Sequence, residues 1–201
     1  MQLNALALAP TFWPRGVGRA LQVAVLVIAG TALLTISAKI KVPFYPVPMT
    51  LQTFAVMAIA AAYGMRLGVA TVLAYLAEGA FGLPVFAGTP GGSGPAYFLG
   101  PTGGFLAGFV ILAIIVGYAA DRGWDRSVVK LFVAMVTADA VVFLLGFVWL
   151  AWFASLASGA IGIGAAKAFA GGVSPFILGD LLKIALAALL IPAGWRLAGR
   201  R

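Results

Sequence analysis

Six long apolar runs, each closed by proline, glycine or charge, account for most of the chain. The first extends from about Val17 to Ala38 and ends at Lys39-Ile40-Lys41. Pro43, Pro46 and Pro48 then force an extended loop, because proline biases the preceding residue away from the helical region. Met49–Gly64 and Leu67–Phe81 form the second and third runs, joined tightly through Gly64-Met65-Arg66. Both fall short of the roughly 20 residues that a straight bilayer crossing needs, so they are expected to stop within the protein and border a cavity. The fourth run is Phe105–Ala120, followed by the charged turn Asp121–Arg126. The fifth covers Val128–Phe153 and the sixth Pro175 to about Leu197, with Ser174 as expected cap and Pro175 at the first helical position. Ala154–Gly172 between them reads as a small-residue loop carrying Lys167.

Composition turns these runs into membrane spans. The 201 residues are 63% hydrophobic and 9% charged, more apolar surface than a soluble domain of this size can bury. The expected architecture is therefore an all-α integral membrane protein, one domain over residues 1–201 with six transmembrane helices. Met1–Pro10 has no basic residue and reaches proline before any long apolar run, so no cleaved signal peptide is expected. The formal charge of +8 is scattered at the ends of the runs and not gathered in a patch, which points to membrane orientation and away from nucleic acid. With six crossings, Arg15, Arg19, Arg66, Arg122, Arg126, Lys130, Arg196, Arg200 and Arg201 share one side, against Lys39, Lys41 and Lys167 on the other. Nine against three places both termini in the cytoplasm. Trp13, Trp124 and Trp195 then fall at the inner interface, and Trp149 and Trp152 at the outer. The absence of cysteine and histidine excludes disulfides, thiolate chemistry, the usual zinc sites and histidine acid–base catalysis.

Against that background a few polar residues stand out. Asp180 and Lys183 lie three apart, on one face of the last helix, and are followed by an uninterrupted apolar run. Each charge inside a bilayer costs about 2.5–3.5 kcal/mol on insertion scales, so such a pair points to a polar cavity more than to a structural ion pair. Asp139 falls near the middle of the fifth span, where a carboxyl hydrogen-bonded between helices and one facing a pocket are equally good readings. Leu83–Gly104 is rich in glycine and proline, carries no charge, and contains Phe86, Tyr97, Phe98 and Leu99. A long loop with that many apolar side chains is expected to pack as a lid. Gly92-Ser93-Gly94 is not followed by lysine, and no phosphate-binding loop occurs anywhere in the chain. The loops joining spans one and two, three and four, and five and six share the outer side with Glu78 and the start of the last span, so the expected site opens outward.

Five blocks in order give a more specific signal. Pro48-Met49-Thr50-Leu51-Gln52-Thr53-Phe54 resembles the PMTLQTF block of BioY proteins, the substrate-binding S components of energy-coupling-factor (ECF) biotin transporters. Gly79–Gly88, Ala96–Phe105, Gly146-Phe147-Val148-Trp149-Leu150 and the Pro175–Lys183 segment are similar to further blocks of that family. Leu178 stands where the family pattern leads one to expect a second proline, a departure that leaves both charges in place.

The resemblance implies capture of biotin from outside a bacterial plasma membrane, without enzymatic activity, cofactor or metal. It also implies a coupling protein and two ATPases as partners, or self-association in a member that works alone. Family-like ligand contacts carried onto matching positions are Gln52, Phe54, Tyr97, Asp180 and Lys183. Glu78 is added on position alone. Ala20 and Ala24, four apart on the first helix, are the expected partner-docking face. Biotin offers a ureido ring with two N–H donors and one carbonyl, an apolar thiophane body and a carboxylate tail. Ionised Asp180 only accepts and charged Lys183 only donates, a match to the ureido edge, with the tail toward Gln52; the competing assignment pairs Lys183 with the tail. Two other classes fit less well. One is an S component for another small vitamin. The other is an intramembrane enzyme using Glu78, Asp139 and Asp180, which needs a convergence of carboxylates that the spacing does not show.

Overall fold

The computed structural model describes residues 18–88 and 93–197. The Met1–Pro10 stretch, Trp13, Arg15, Val17, Gly92, Arg200 and Arg201 lie outside the described residues. The chain folds as α1 (Arg19–Lys39), a two-stranded antiparallel ribbon of β1 (Lys41–Val42) and β2 (Met49–Thr50), α2 (Gln52–Ala80), α3 (Gly103–Asp121), α4 (Val128–Trp152), α5 (Ala165–Gly172) and α6 (Ile177–Leu197). Short 3-10 turns cover Pro95–Leu99 and Trp124–Arg126. Among the described residues, five helices are long and apolar enough to cross a membrane: α1, α2, α3, α4 and α6. The chain is thus a mostly helical, multi-pass membrane protein.

The second and third apolar runs are joined in α2, apart from residues 49–51 and Phe81 at their outer ends, and α2 breaks at Gly64, where φ 76° and ψ 173° leave the helical region. Glycine tolerates that conformation because it has no Cβ. The break reverses the chain. Gln52 and Tyr75 are 23 positions apart, about 35 Å along an unbroken helix, yet Gln52 Nε2 donates to Tyr75 Oη at 2.8 Å. Asp121 at the end of α3 supports the reversal by accepting from the backbone N–H of Met65, 3.3 Å away. Gly117 leaves the room for that turn, since a Cβ there would sit 2.5 Å from Met65 Cα.

Three boundaries differ from expectation. Met49 and Thr50 are strand, held opposite Val42 and Lys41, because the prolines before them keep the chain extended. Their helix begins at Gln52, whose N–H is taken by Thr50 Oγ1 at 3.2 Å. The last helix begins at Ile177, not at Pro175. Ser174 does not cap it but donates back to Ala170 O, and a turn closed by Phe176 N–H to Val173 O intervenes. Finally, the supposed loop Ala154–Gly172 contains α5, four of whose eight residues are alanine, the best helix former.

The core runs the length of the bundle through Leu34, Met57, Tyr75, Leu112, Leu131, Met135, Ile184 and Trp195. Helix α1 packs along α2 through Leu26, Gly30, Thr31 and Leu34, with Tyr63 Oη donating to Leu26 O at 3.0 Å. Its other side, including Ala20, Ala24, Leu21 and Ile28, is exposed. Opposite the Gly64 turn, segment 83–88 and the Pro95–Leu99 turn fold over the bundle end. The loop read as a lid packs through part of its length: Val85, Phe86 and Ala87 are buried and Tyr97 and Phe98 half-buried, whereas Leu83 and Leu99 are exposed.

Candidate ligand-binding site

A cavity of about 580 Å³, counted to its open mouth, lies where β2, the start of α2, residues 86–87, α3, α4 and the start of α6 converge. Its walls are largely aromatic: Phe86, Tyr97, Phe105, Phe109, Phe143 and Phe176. Polar groups come from Thr50, Gln52, Thr53, Thr102, Asp180 and Lys183.

Glycines in the sequence blocks explain how the aromatic walls fit. The Phe86 ring occupies the space beside Gly79, where a Cβ would lie 2.0 Å from the ring. So seated, it stacks on Tyr97 at 4.6 Å between centroids and meets the edges of Tyr75 and Phe98. Phe105 fills the place of a side chain at Gly146, its ring 2.3 Å from a Cβ position. Trp149, one turn further along α4, donates from Nε1 to Gly100 O at 2.9 Å and ties the Pro95–Leu99 turn to the bundle.

Asp180 and Lys183 form the cavity's polar pole, Nζ to Oδ1 at 2.6 Å, with side chains 5% and 13% exposed. The ammonium also donates to Thr50 O at 2.7 Å and Thr53 Oγ1 at 3.2 Å, while Thr53 Oγ1 donates to Asp180 Oδ1 at 3.3 Å. All three lysine hydrogens therefore have acceptors. These bonds use Oδ1 of the aspartate, so Oδ2 carries none among the described residues. The arrangement presents a spare carboxylate oxygen beside a polarised ammonium in an apolar, aromatic chamber. Chemically it suits a flat neutral group carrying both donors and an acceptor, attached to an apolar body. Gln52 is held at the wall by its bond to Tyr75, whose hydroxyl in turn donates to Val85 O at 3.0 Å.

The structure thus brings Gln52, Tyr97, Asp180 and Lys183 together at one cavity. Phe54 lies outside that lining and packs against the core. Two residues advance a helix by about 200°, which turns Phe54 away from the side that Gln52 faces. Glu78 is half-buried near the end of α2 and also outside the lining. Asp139 is 5% exposed, with no hydrogen-bond partner for Oδ1 among the described residues. It is set back one turn along α4 from Val142 and Phe143, which do line the cavity. Thr50, Thr53 and Phe86 belong to the family-like blocks, but their place in the cavity was not expected from sequence. The two threonines flank Gln52 in its block and carry the only hydroxyls there, which was the available signal. Tyr75 gave no local signal, because only the Gly64 reversal carries it to Gln52.

Residues 11–200 match the family model described as the BioY family. The chain is 39% identical over 165 residues to the probable biotin transporter BioY of Pyrococcus horikoshii, covering 82% of this chain and 91% of that protein. It is 35% identical over 160 residues to the biotin transporter BioY of Thermotoga maritima, covering 80% and 88%. Its fold is similar to a crystal structure of the S-component for biotin from an ECF-type ABC transporter. The TM-score is 0.72 at 25% identity, over 91% of this chain and 94% of that one.

Proposed function

The chain belongs to the BioY family, and from that premise we propose that it captures biotin and delivers it across the plasma membrane as the S component of an ECF-type transporter. One observation carries the reading at the level of chemistry. The buried Asp180–Lys183 pair, braced by Thr50 and Thr53, sits at one pole of an aromatic cavity. A ureido ring meets that pole with an N–H toward Asp180 Oδ2 and its carbonyl toward Lys183, displacing Thr53 Oγ1 as the third acceptor of the ammonium, and the thiophane body lies among Phe86, Tyr97, Phe105 and Phe176. The carboxylate tail runs toward Gln52 and the backbone of the glycine-rich loop. Biotin is substrate here, not reactant: the chain is a transporter and not an enzyme.

The reading includes topology. Each half of α2 counts as a separate span, giving six crossings with both termini cytoplasmic, an orientation that the nine-to-three distribution of basic residues supports. The cavity then opens to the outside. Ala20 and Ala24, exposed on α1, form the face that meets a transmembrane coupling protein, which two ATPases energise.

Uptake of labelled biotin by biotin-requiring bacteria tests the proposal. Cells expressing the chain with a coupling module should accumulate biotin at nanomolar supply, and cells expressing Asp180→Asn should not. Equal uptake with and without the chain contradicts it.

A further inference from the structure

We infer that Lys39 and Lys41 are positioning residues, a two-point clasp that holds the Phe86–Ala87 wall of the cavity against the β1–β2 ribbon and sets how fast ligand is admitted and released. Lys39 Nζ donates to Phe86 O at 2.6 Å, and Lys41 Nζ donates to Ala87 O at 2.7 Å. The two lysines come from the end of α1 and the start of the ribbon, more than forty positions earlier in the chain. Their targets are consecutive carbonyls in a segment that belongs to no helix or strand.

The location is what gives these bonds a role. Phe86 and Ala87 line the cavity on one side, and Thr50 lines it on another. Lys41 is the register partner of Thr50 in the ribbon, and the Thr50 carbonyl accepts from Lys183 at the polar pole. The clasp therefore joins two walls of the chamber on the side away from the core. On the core side the segment is fixed by the Phe86 ring in its glycine niche and by Tyr75 Oη to Val85 O. Neither lysine has a carboxylate partner among the described residues, and both side chains remain partly exposed. Lysine is a flexible point donor, so these bonds can break and reform without rebuilding the wall. Prising the two walls apart requires both bonds to open. A clasp of this kind slows loading and release together and leaves their ratio nearly constant.

The test rests partly on the biotin reading and is arranged so that the two can fail separately. Labelled biotin is bound to the full chain in lipid nanodiscs and chased with unlabelled biotin, for wild type, the double variant K39M/K41M and K39R/K41R. Methionine keeps the length of the side chain and removes the donor. Association and dissociation rates of K39M/K41M should each rise at least tenfold while Kd moves less than threefold, and arginine should restore slow exchange. Unchanged rates overturn the clasp. So does a rise in dissociation matched by an equal rise in Kd, which would make the lysines ligand contacts, and so does an arginine variant that behaves like methionine.

A second measurement needs no ligand. The chain has no cysteine, so Val85→Cys introduces a single thiol behind the wall, at a position only 8% exposed. Its reaction with a membrane-impermeant maleimide should be at least tenfold faster in the K39M/K41M background. An equal rate in both backgrounds refutes the clasp. If wild type fails to bind biotin at all, the ligand reading falls and the thiol measurement still judges the clasp.

Discussion

Replacing Lys183 with glutamine separates the two ways in which biotin can be oriented. The ammonium donates to Asp180 Oδ1, Thr50 O and Thr53 Oγ1. Glutamine keeps an amide donor but no charge, and leaves Asp180 almost fully buried beside Thr53 alone. A charge-assisted hydrogen bond in a site of this kind contributes about 1.5–3 kcal/mol, or about 10- to 150-fold in affinity. Leaving the carboxylate unpaired adds to that loss, so the single substitution should hurt more than one bond suggests. Biotin and its neutral tail amide are titrated into wild type and Lys183→Gln by calorimetry. If Lys183 serves the ureido carbonyl, the two ligands weaken by the same factor and wild type distinguishes them only modestly. The reasoning is refuted if wild type binds the amide more than about a hundredfold worse, a gap of about 2.7 kcal/mol, and Lys183→Gln erases that preference. Lys183 would then belong to the tail carboxylate.

Three other expectations follow from the same geometry. Reporter fusions after Trp124 and Leu197 should read cytoplasm and fusions at Lys167 the exterior; an odd number of crossings removes the outward-opening cavity. Gly146→Ala should lower the thermal midpoint in detergent, since its Cβ meets the Phe105 ring and overpacking costs typically about 1–3 kcal/mol. Adding Phe105→Leu should recover most of that loss, and a midpoint untouched by Gly146→Ala counts against the packing assigned to this wall. Burial pushes the carboxyl of Asp125 up to about 6, against the opposing effects of Trp195 Nε1–H and the Arg126 guanidinium. A raised carboxyl stabilises the fold fully below its unfolded value near 4, and that contribution is lost as pH rises through about 6. Asp125→Asn should therefore gain thermal stability relative to wild type at pH 7.5 but not at pH 4.5, and an equal difference at both pH values refutes the assignment.

Much of this molecule is legible in its sequence because membrane burial leaves coarse marks. Apolar runs of fixed length locate the helices, and the cost of charge in lipid is enough to single out Asp180 and Lys183. Three kinds of feature are not legible. Contacts across the Gly64 reversal, Gln52 with Tyr75 above all, join residues whose local surroundings give no sign of one another. The direction of a side chain at a helix start is hidden too. Gln52 and Phe54 sit in the same sequence block, yet the helix turns them apart, and only the first lines the cavity. Lys39 and Lys41 show a third limit. In the sequence they count as outer-side charge and nothing else, and their reach to the Phe86 and Ala87 carbonyls appears only when the loop is folded over the bundle.

The central claim, that this cavity is a biotin site with Asp180 and Lys183 at its pole, is tested most directly by equilibrium titration of the purified chain. Biotin, thiamine and riboflavin are each titrated into wild type and Asp180→Asn in the absence of any coupling protein. The account predicts saturable one-to-one binding of biotin alone to wild type, weakened at least tenfold by Asp180→Asn. Tighter binding of another vitamin, or biotin affinity unchanged by Asp180→Asn, contradicts it.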